Sequence, residues 1–394
     1  MLTVGDVVSV LQARYPPSWA EPWDAVGLTC GDPDAPVRRV LLAVDPVAVV
    51  VDEALAFQAD LLITHHPLLL RGVHTVAAGT TKGQAVHRLV RGGVALVSMH
   101  TNADVARPGV SDALADALGL TDLRPLDPRP DPVDKIVTFV PPEDVPRLLD
   151  ALAAAGAGRI GAYERCGYLL EGQGTFRPLA GATPVIGSVG QVESVTETRL
   201  EMVLPREVRA AVVAALRATH PYEEPAFDVW ELAGTDARRG LGRVGALPEP
   251  ETLEDLVVRV ADALPATVGG VRAAGDPDRV VQTVAVCGGS GDSLLDTARS
   301  AGVDAFVTAD LRHHPASEAL EPGGPRGPAL VDVSHWASEW PWLEQAARLL
   351  VADLGEGATA LQTRVSTTCT DPWSLHAETM PPGSPGTHDD GEDE

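Results

Sequence analysis

The chain has 394 residues, 45% hydrophobic and 4% aromatic, and its 55 acidic against 30 basic side chains give a formal charge of −25. This length holds two domains with a core mainly of Val, Leu and Ala, while the charge argues against nucleic-acid binding through a broad basic face and against anionic membranes. No stretch is apolar enough to span a bilayer, the N-terminus lacks a basic signal-type region, and four scattered cysteines without a C-x-x-C pair read as the reduced thiols of a cytoplasmic protein.

From Arg38 to about Gly119, short apolar runs alternate with helical patterns. Val40–Val44 predicts a strand ending at Asp45-Pro46, Val47–Gln58 a helix, and Leu61–Thr64 the next strand. Gly83–Arg91 predicts a helix, Val94–Met99 a third strand and Val110–Leu118 a third helix. This β-α-β-α-β-α order is the pattern of a parallel sheet. Pro125, Pro128, Pro130 and Pro132 then mark a boundary. Strands at Ile136–Val140, Tyr163–Gly174, Glu197–Val203 and Ala226–Glu231, with helices at Val145–Ala155 and Arg206–Thr219, predict a small ferredoxin-like insert. The chain re-enters the core near Gly240-Leu241-Gly242-Arg243, and the earlier order returns. Strands at Thr283–Val286, Ala305–Thr308 and Ala329–Val333 come with a helix through Ser300 and another at Trp342–Leu350. The expected class is therefore α/β: two βαβ-type halves, residues 1–128 and 241–375, forming one metal-binding core around an α+β insert at 129–240. A disordered acidic tail is expected at 376–394.

Three separated segments put metal-binding side chains just past predicted strands. They are His65-His66, then His100 with Asp104, then His335 with Glu339. Imidazoles and carboxylates delivered from the carboxyl ends of several strands are how an open α/β sheet builds a metal site. The set is too rich for one ion, which points to a two-metal hydrolytic centre. Adjacent histidines in a strand face opposite ways, but at a strand end the backbone turns and both can converge, with Pro67 fixing that turn. Asp104 reads either as a carboxylate bridging two ions or as a helix cap or loop residue, and His100 as a support residue. His335 and Glu339 share one face of a helical turn. Pro341 fits the first turn of a following helix, since in one unbroken helix it would crowd the carbonyl of Ala337, so a short or offset His335–Glu339 turn is predicted. Gly288-Gly289-Ser290-Gly291, between strand and helix, reads either as a loop aiming N–H groups at a phosphate or as a tight turn. Asp310 with His313 and His314 reads either as a general base or substrate contact, or as a solvated helix start.

Several of these motifs together resemble the NIF-three-like family, whose members are called GTP cyclohydrolase 1 type 2 homologues and dinuclear metal-centre hexameric proteins. They are Glu21-Pro22-Trp23-Asp24-Ala25-Val26-Gly27-Leu28, Thr64-His65-His66-Pro67, His100-Thr101-Asn102-Ala103-Asp104, Val286-Cys287-Gly288-Gly289-Ser290-Gly291, Thr308-Ala309-Asp310-Leu311 and Ser334-His335-Trp336-Ala337-Ser338-Glu339. Gly174-Thr175-Phe176-Arg177-Pro178 and the run from His220 to Asp228 resemble the extra domain of the long members, similar to PII and CutA folds. The resemblance covers nearly all of the chain except the tail. It implies that His65, His66, Asp104, His335 and Glu339 hold two divalent metal ions, with Zn, Fe, Mn, Co and Ni all compatible with such ligands. Asp310 and His314 are implied as pocket residues; where the family pattern has an aromatic at position 313, this chain has His313. A toroidal homohexamer with metal sites facing an internal cavity is implied as well. The expected activity is GTP cyclohydrolase-like hydrolysis of a nucleotide or phosphorylated small molecule by a metal-bridged hydroxide. Asp104 or Glu339 would bridge the ions, and Asp310 and His314 would carry protons. The alternative is a non-catalytic metal-binding or regulatory hexamer whose insert senses a ligand. A scaffold recruiting partners through Asp389–Glu394 is a third reading.

Overall fold

The structure is a computed structural model, and it describes residues 1–234, 238–321 and 327–377; the predicted tail beyond these lies outside the described residues. The chain forms two compact units, Met1–Arg129 with Arg238–Glu394, and Pro130–Ala237.

The first stretch of the larger unit runs α1 (Val4–Arg14), β1 (Gly27–Cys30), β2 (Arg39–Ala43), α2 (Ala48–Phe57), β3 (Leu61–Thr64), α3 (Thr81–Gly92), β4 (Ala95–Ser98), α4 (Thr101–Val105), α5 (Val110–Ala117) and β5 (Thr121–Pro128). In the smaller unit, β6 (Val133–Val140), α6 (Val145–Ala154), β7 (Gly167–Phe176), β8 (Glu193–Pro205), α7 (Arg209–Thr219) and β9 (Phe227–Leu232) follow in order. Its four strands make one antiparallel sheet in the order β7-β8-β6-β9. Ile136, Leu148, Leu152, Leu200, Met202 and Leu216 bury one face of that sheet beneath the two helices.

The larger unit resumes with β10 (Gly240–Thr252), α8 (Leu253–Ala263), β11 (Arg272–Ala274), β12 (Val280–Ser290), α9 (Leu295–Ala301), β13 (Ala305–Ala309), α10 (His313–Leu320), β14 (Ala329–Val333), α11 (His335–Leu354) and β15 (Gln362–Val365). Its two sheets have the orders β1-β4-β3-β2-β15 and β11-β14-β13-β12-β10-β5. In each, three parallel strands carry an antiparallel edge strand beside the third: β1 against β4, and β11 against β14. In both halves a helix capped by a Thr-x-x-Asp box, Thr3 with Asp6 and Thr252 with Asp255, precedes the three parallel strands. The halves are thus one topology used twice, and they exchange strands. β15, from the end of the described chain, pairs with β2, whereas β5, from the first half, pairs with β10.

Strand alternation builds the core. Val40, Leu42, Leu61, Ile63 and Val97 face a central cluster together with Val284, Val286, Val307, Val331 and Val333 of the second sheet. Their neighbours Leu41, Leu62 and Leu96 pack outward beneath α2 and α3, and Ala285, Phe306 and Leu330 do so beneath α9 and α10. Strands buried on both faces are what a parallel sheet requires. Between the sheets, α11 packs against α5, α1 and strands of both sheets, and contributes the fully buried Trp342.

Two expectations fail here. α11 is unbroken from His335 to Leu354 with Pro341 inside it, so the His335–Glu339 turn is neither short nor offset. The proline costs the Ala337 carbonyl its helical partner, and burial of Trp336, Trp342, Leu343 and Leu350 offsets that loss. Gly288 and Gly289 lie within β12 instead of after it, and their N–H groups are used: Gly288 donates to Ser111 Oγ at 3.4 Å and Gly289 to Ser338 Oγ at 2.8 Å. They are not free to cradle a phosphate.

Arg243 of β10 is fully buried and fastens the two halves. Its Nε and Nη2 bind the Asp112 carboxylate of α5 at 2.9 and 2.6 Å, its Nη1 donates to the Gly240 and Gly242 carbonyls at 2.7 Å each, and its Nη2 also reaches the Ala106 carbonyl. Removing one partner strands a buried charge, which costs about 3–5 kcal/mol. Asp112→Ala is therefore expected to lower the urea midpoint by that equivalent, while Asp112→Leu with Arg243→Met loses less. Equal midpoints for wild type and Asp112→Ala would show that the pair does not hold the halves.

Candidate metal centre

The cluster forms where three chain segments leave the sheets. β3 ends at Thr64, whose hydroxyl donates to the His66 carbonyl at 2.8 Å, while the His65 and His66 N–H groups bond the carbonyls of Ala43 and Val44. The backbone thus follows β2 while turning, and the two rings come within 5.0 Å of each other. α4 begins directly after His100 and carries Asp104 one turn on; α11 begins at His335 and carries Glu339 one turn on. The same two-residue step separates Ser98 from His100 and Val333 from His335, so each half presents a His–carboxylate pair at the same place in its topology.

Each of the four imidazoles has its Nδ1 occupied. His65 Nδ1 donates to the Met99 carbonyl at 2.9 Å, His66 to Asp45 at 2.7 Å, His100 to Asp24 at 2.8 Å and His335 to Asp310 at 2.7 Å. A partner on Nδ1 fixes the ring and leaves Nε2 as the available lone pair. Three Nε2 atoms converge on Glu339: His335 at 2.9 Å from Oε1, His66 at 3.2 Å from Oε2 and His65 at 3.4 Å from Oε1. His65 Nε2 also lies 3.6 Å from Asp104 Oδ1. His65 and Glu339 are 1% and 3% exposed, whereas His335 is 33% exposed, so the cluster opens on the His335 side. Gly289, at φ +69°, leaves the needed room; a Cβ there would sit 2.5 Å from Glu339 Oε1 and 3.1 Å from His335 Nε2.

Charge in the cluster is balanced internally. Burial alone would push Glu339 up, but the His66, His65 and His335 rings hold its carboxyl well below the usual range. Burial pulls His66 and His335 down; Glu339, with Asp45 and Asp310 respectively, more than offsets this and raises them to about 11 and about 10. Burial raises Asp104. Glu339 Oε2 is buried with no hydrogen bond. A buried carboxylate with one oxygen free of hydrogen bonds and three oriented imidazole nitrogens against it is the donor set of a borderline divalent cation. Two groups could hold a metal ion, His65 with His66 and His100, and His66 with His335 and Glu339.

The five residues singled out in the sequence thus meet in one cluster, and His100, set aside as a support residue, belongs to one of the two metal-type groups. Asp310 reaches the cluster by gripping His335, from a left-handed backbone position at φ +57° that Asp tolerates better than most residues. His314 packs edge-on against His313 and is in neither group. Sequence reading missed the oriented carboxylates Asp24 and Asp45, and a strap after β15. In that strap Thr370 Oγ1 donates to Asp45, Asp371 accepts from Ser334, and Ser366 and Thr368 donate to Glu53 at 2.6 and 2.9 Å. The available signals were Asp45 closing a predicted strand and Asp24 within the Glu21–Leu28 motif.

Residues 2–372 match the family described as DUF34/NIF3 (NGG1p interacting factor 3). A Mycobacterium tuberculosis protein named GTP cyclohydrolase 1 type 2 homolog is 54% identical over 378 residues, covering 95% of this chain and 98% of that one. A Bacillus subtilis protein of the same name is 37% identical over 370 residues, covering 94% and 97%. Among solved structures, a Bacillus cereus protein related to NIF3 superposes with a TM-score of 0.75 at 34% identity, covering 95% of this chain and 99% of that one. With its motifs, its paired α/β halves and these relatives agreeing over nearly its full length, the chain belongs to the DUF34/NIF3 family.

Proposed function

We propose that this chain is a metal-dependent hydrolase in which His65, His66, Asp104, His335 and Glu339 hold two divalent ions, with His100 completing the group around His65 and His66. The observation that supports this best is the set of four imidazoles, each locked at Nδ1, three of which bring Nε2 within 3.4 Å of the buried Glu339 carboxylate, whose Oε2 makes no hydrogen bond. Two such ions supply Lewis-acid polarisation of a scissile group and activation of water. The protein's own part is orientation. Asp24, Asp45 and Asp310 keep the Nδ1 protons of His100, His66 and His335 in place, so no donor has to turn when the site loads. Asp310, 56% exposed, stands on the solvent side and takes the proton-carrying role in preference to His314.

The relatives' name supports a nucleotide such as GTP as the first substrate to test, with a phosphate ester as the other. The toroidal homohexamer implied by the resemblance and the ferredoxin-like, PII/CutA-like reading of the insert belong to the same proposal. For the insert, the β-α-β-β-α-β order and the strand order β7-β8-β6-β9 support the reading. A second reading, a regulatory metal protein with a ligand-sensing insert, is favoured by a cavity of about 580 Å³ inside the insert, walled by Phe139, Phe176, Arg199 and Tyr222.

Wild-type protein is expected to carry divalent metal and to turn over GTP or a phosphoester once loaded, and Glu339→Gln to lose most of both. Metal analysis by mass spectrometry with single-turnover assays reads this; unchanged metal content in Glu339→Gln would remove the proposed ligand set, and metal without turnover across a nucleotide and phosphoester panel would favour the regulatory reading. Because His66 and His335 are raised to about 11 and about 10 in the metal-free protein, they carry protons at pH 7 that a metal must displace. Metal binding should release protons and tighten as pH rises from 6 to 8. Calorimetry in buffers of different ionisation enthalpy measures this, and a pH-independent affinity contradicts it. Light scattering on the full chain should give six times the mass of one chain; a monomeric mass would overturn the hexamer.

A further inference from the structure

Beside the cluster lies a second cavity, of about 260 Å³, that shares Asp45 and His66 with it. Its remaining polar wall comes from Thr81, Lys82, Gln84 and Arg88 of α3. Lys82 and Lys135 are the only lysines in a chain of charge −25. Among the described residues the Lys82 ammonium makes no hydrogen bond or ion pair, unlike Lys135, which pairs with Glu201 at 3.0 Å. Arg88 reaches across to Asp52 of α2 through one nitrogen, which leaves the rest of its guanidinium available. The two oxygens of Asp45 are taken by His66 Nδ1 and Thr370 Oγ1, so its carboxylate is committed to His66 and the strap and not to Lys82. The first turns of α2 and α3 contain no acidic residue, although the chain has 55. The wall thus offers one unpaired cation, Lys82, with the Asp52-paired Arg88 in the same lining, and His66 alone separates the cavity from Glu339.

We infer that this cavity is the subsite for a phosphate group of the substrate, with Lys82 and Arg88 as its cationic contacts and the reacting bond placed toward His66 and His335. The inference rests on the hydrolase reading of the neighbouring cluster and deepens it. The cavity suits one phosphate with its adjoining carbons rather than a whole nucleotide, so the substrate class is a phosphorylated small molecule, or a nucleotide that leaves its base outside. Arg supplies a planar fork and Lys a mobile point charge, a pairing suited to a tetrahedral dianion.

Inorganic phosphate, titrated into full-length protein stripped of metal with a chelator and followed by phosphorus NMR, tests the subsite apart from the metal chemistry. Saturable millimolar binding is expected. Lys82→Gln should weaken it about tenfold, the loss of one charge-assisted hydrogen bond. Lys82→Arg should restore most of the affinity. Lys82 is exposed and unpaired, so its substitution leaves the fold intact, which a thermal melt verifies; Arg88→Gln, which also breaks the Asp52 contact, serves as a second variant. Absence of phosphate binding in wild-type protein that loads metal normally would overturn the subsite alone, as would equal affinity in Lys82→Gln. Lys82-dependent phosphate binding in protein that takes up no divalent metal when the ions are added back would sustain the subsite and overturn the metal reading.

Discussion

Burying the Glu339 carboxylate is the constraint from which the rest of the unit follows. A carboxylate at 3% exposure cannot remain ionised unless positive charge or a cation sits against it. Here three imidazoles do so, each anchored from behind by Asp45, by Asp310 or by the Met99 carbonyl. Those anchors in turn fix how β2, β4 and β13 must end and where α11 must begin. The helix bearing Glu339 lies between the two sheets, with Trp342 and Leu343 in the central cluster, so moving the carboxylate would disturb the packing of both sheets.

The repeated topology accounts for how one site draws on distant chain segments. His100 and Asp104 follow β4 as His335 and Glu339 follow β14, and His65 follows β3 as Asp310 follows β13. The two copies have diverged at these equivalent places. In the first half the residue after β3 is a buried imidazole facing Glu339; in the second it is a carboxylate that orients His335. The same backbone position thus presents a nitrogen donor in one copy and the support of a donor in the other.

Much of this was legible because it is local. Runs such as Leu61–Ile63 and Ala305–Val307 are buried on both faces and read as continuous apolar segments, and ligand-type side chains soon after them stand out. What escaped was non-local. Nothing in a sequence says that Asp24 lies against His100, 76 positions away, or Asp45 against His66, 21 away. β1 and β11, with four and three residues, are too short to show alternation. Pro341 misled because a helix rule weighs the lost hydrogen bond and cannot see the two buried tryptophans on either side of it.

The exchange of strands has a consequence for how the molecule is made. A ribosome releases the first half, with its three parallel strands, long before β15 exists to cover β2. The strap that steadies Asp45 and Ser334 follows β15 in turn. The first half therefore waits through translation of the insert and the whole second copy with one sheet edge bare. The His66 anchor is finished only by residues near the end of the described chain. Synthesis itself delays assembly of the cluster until both copies and the strap are present, and a nascent chain cannot complete it early.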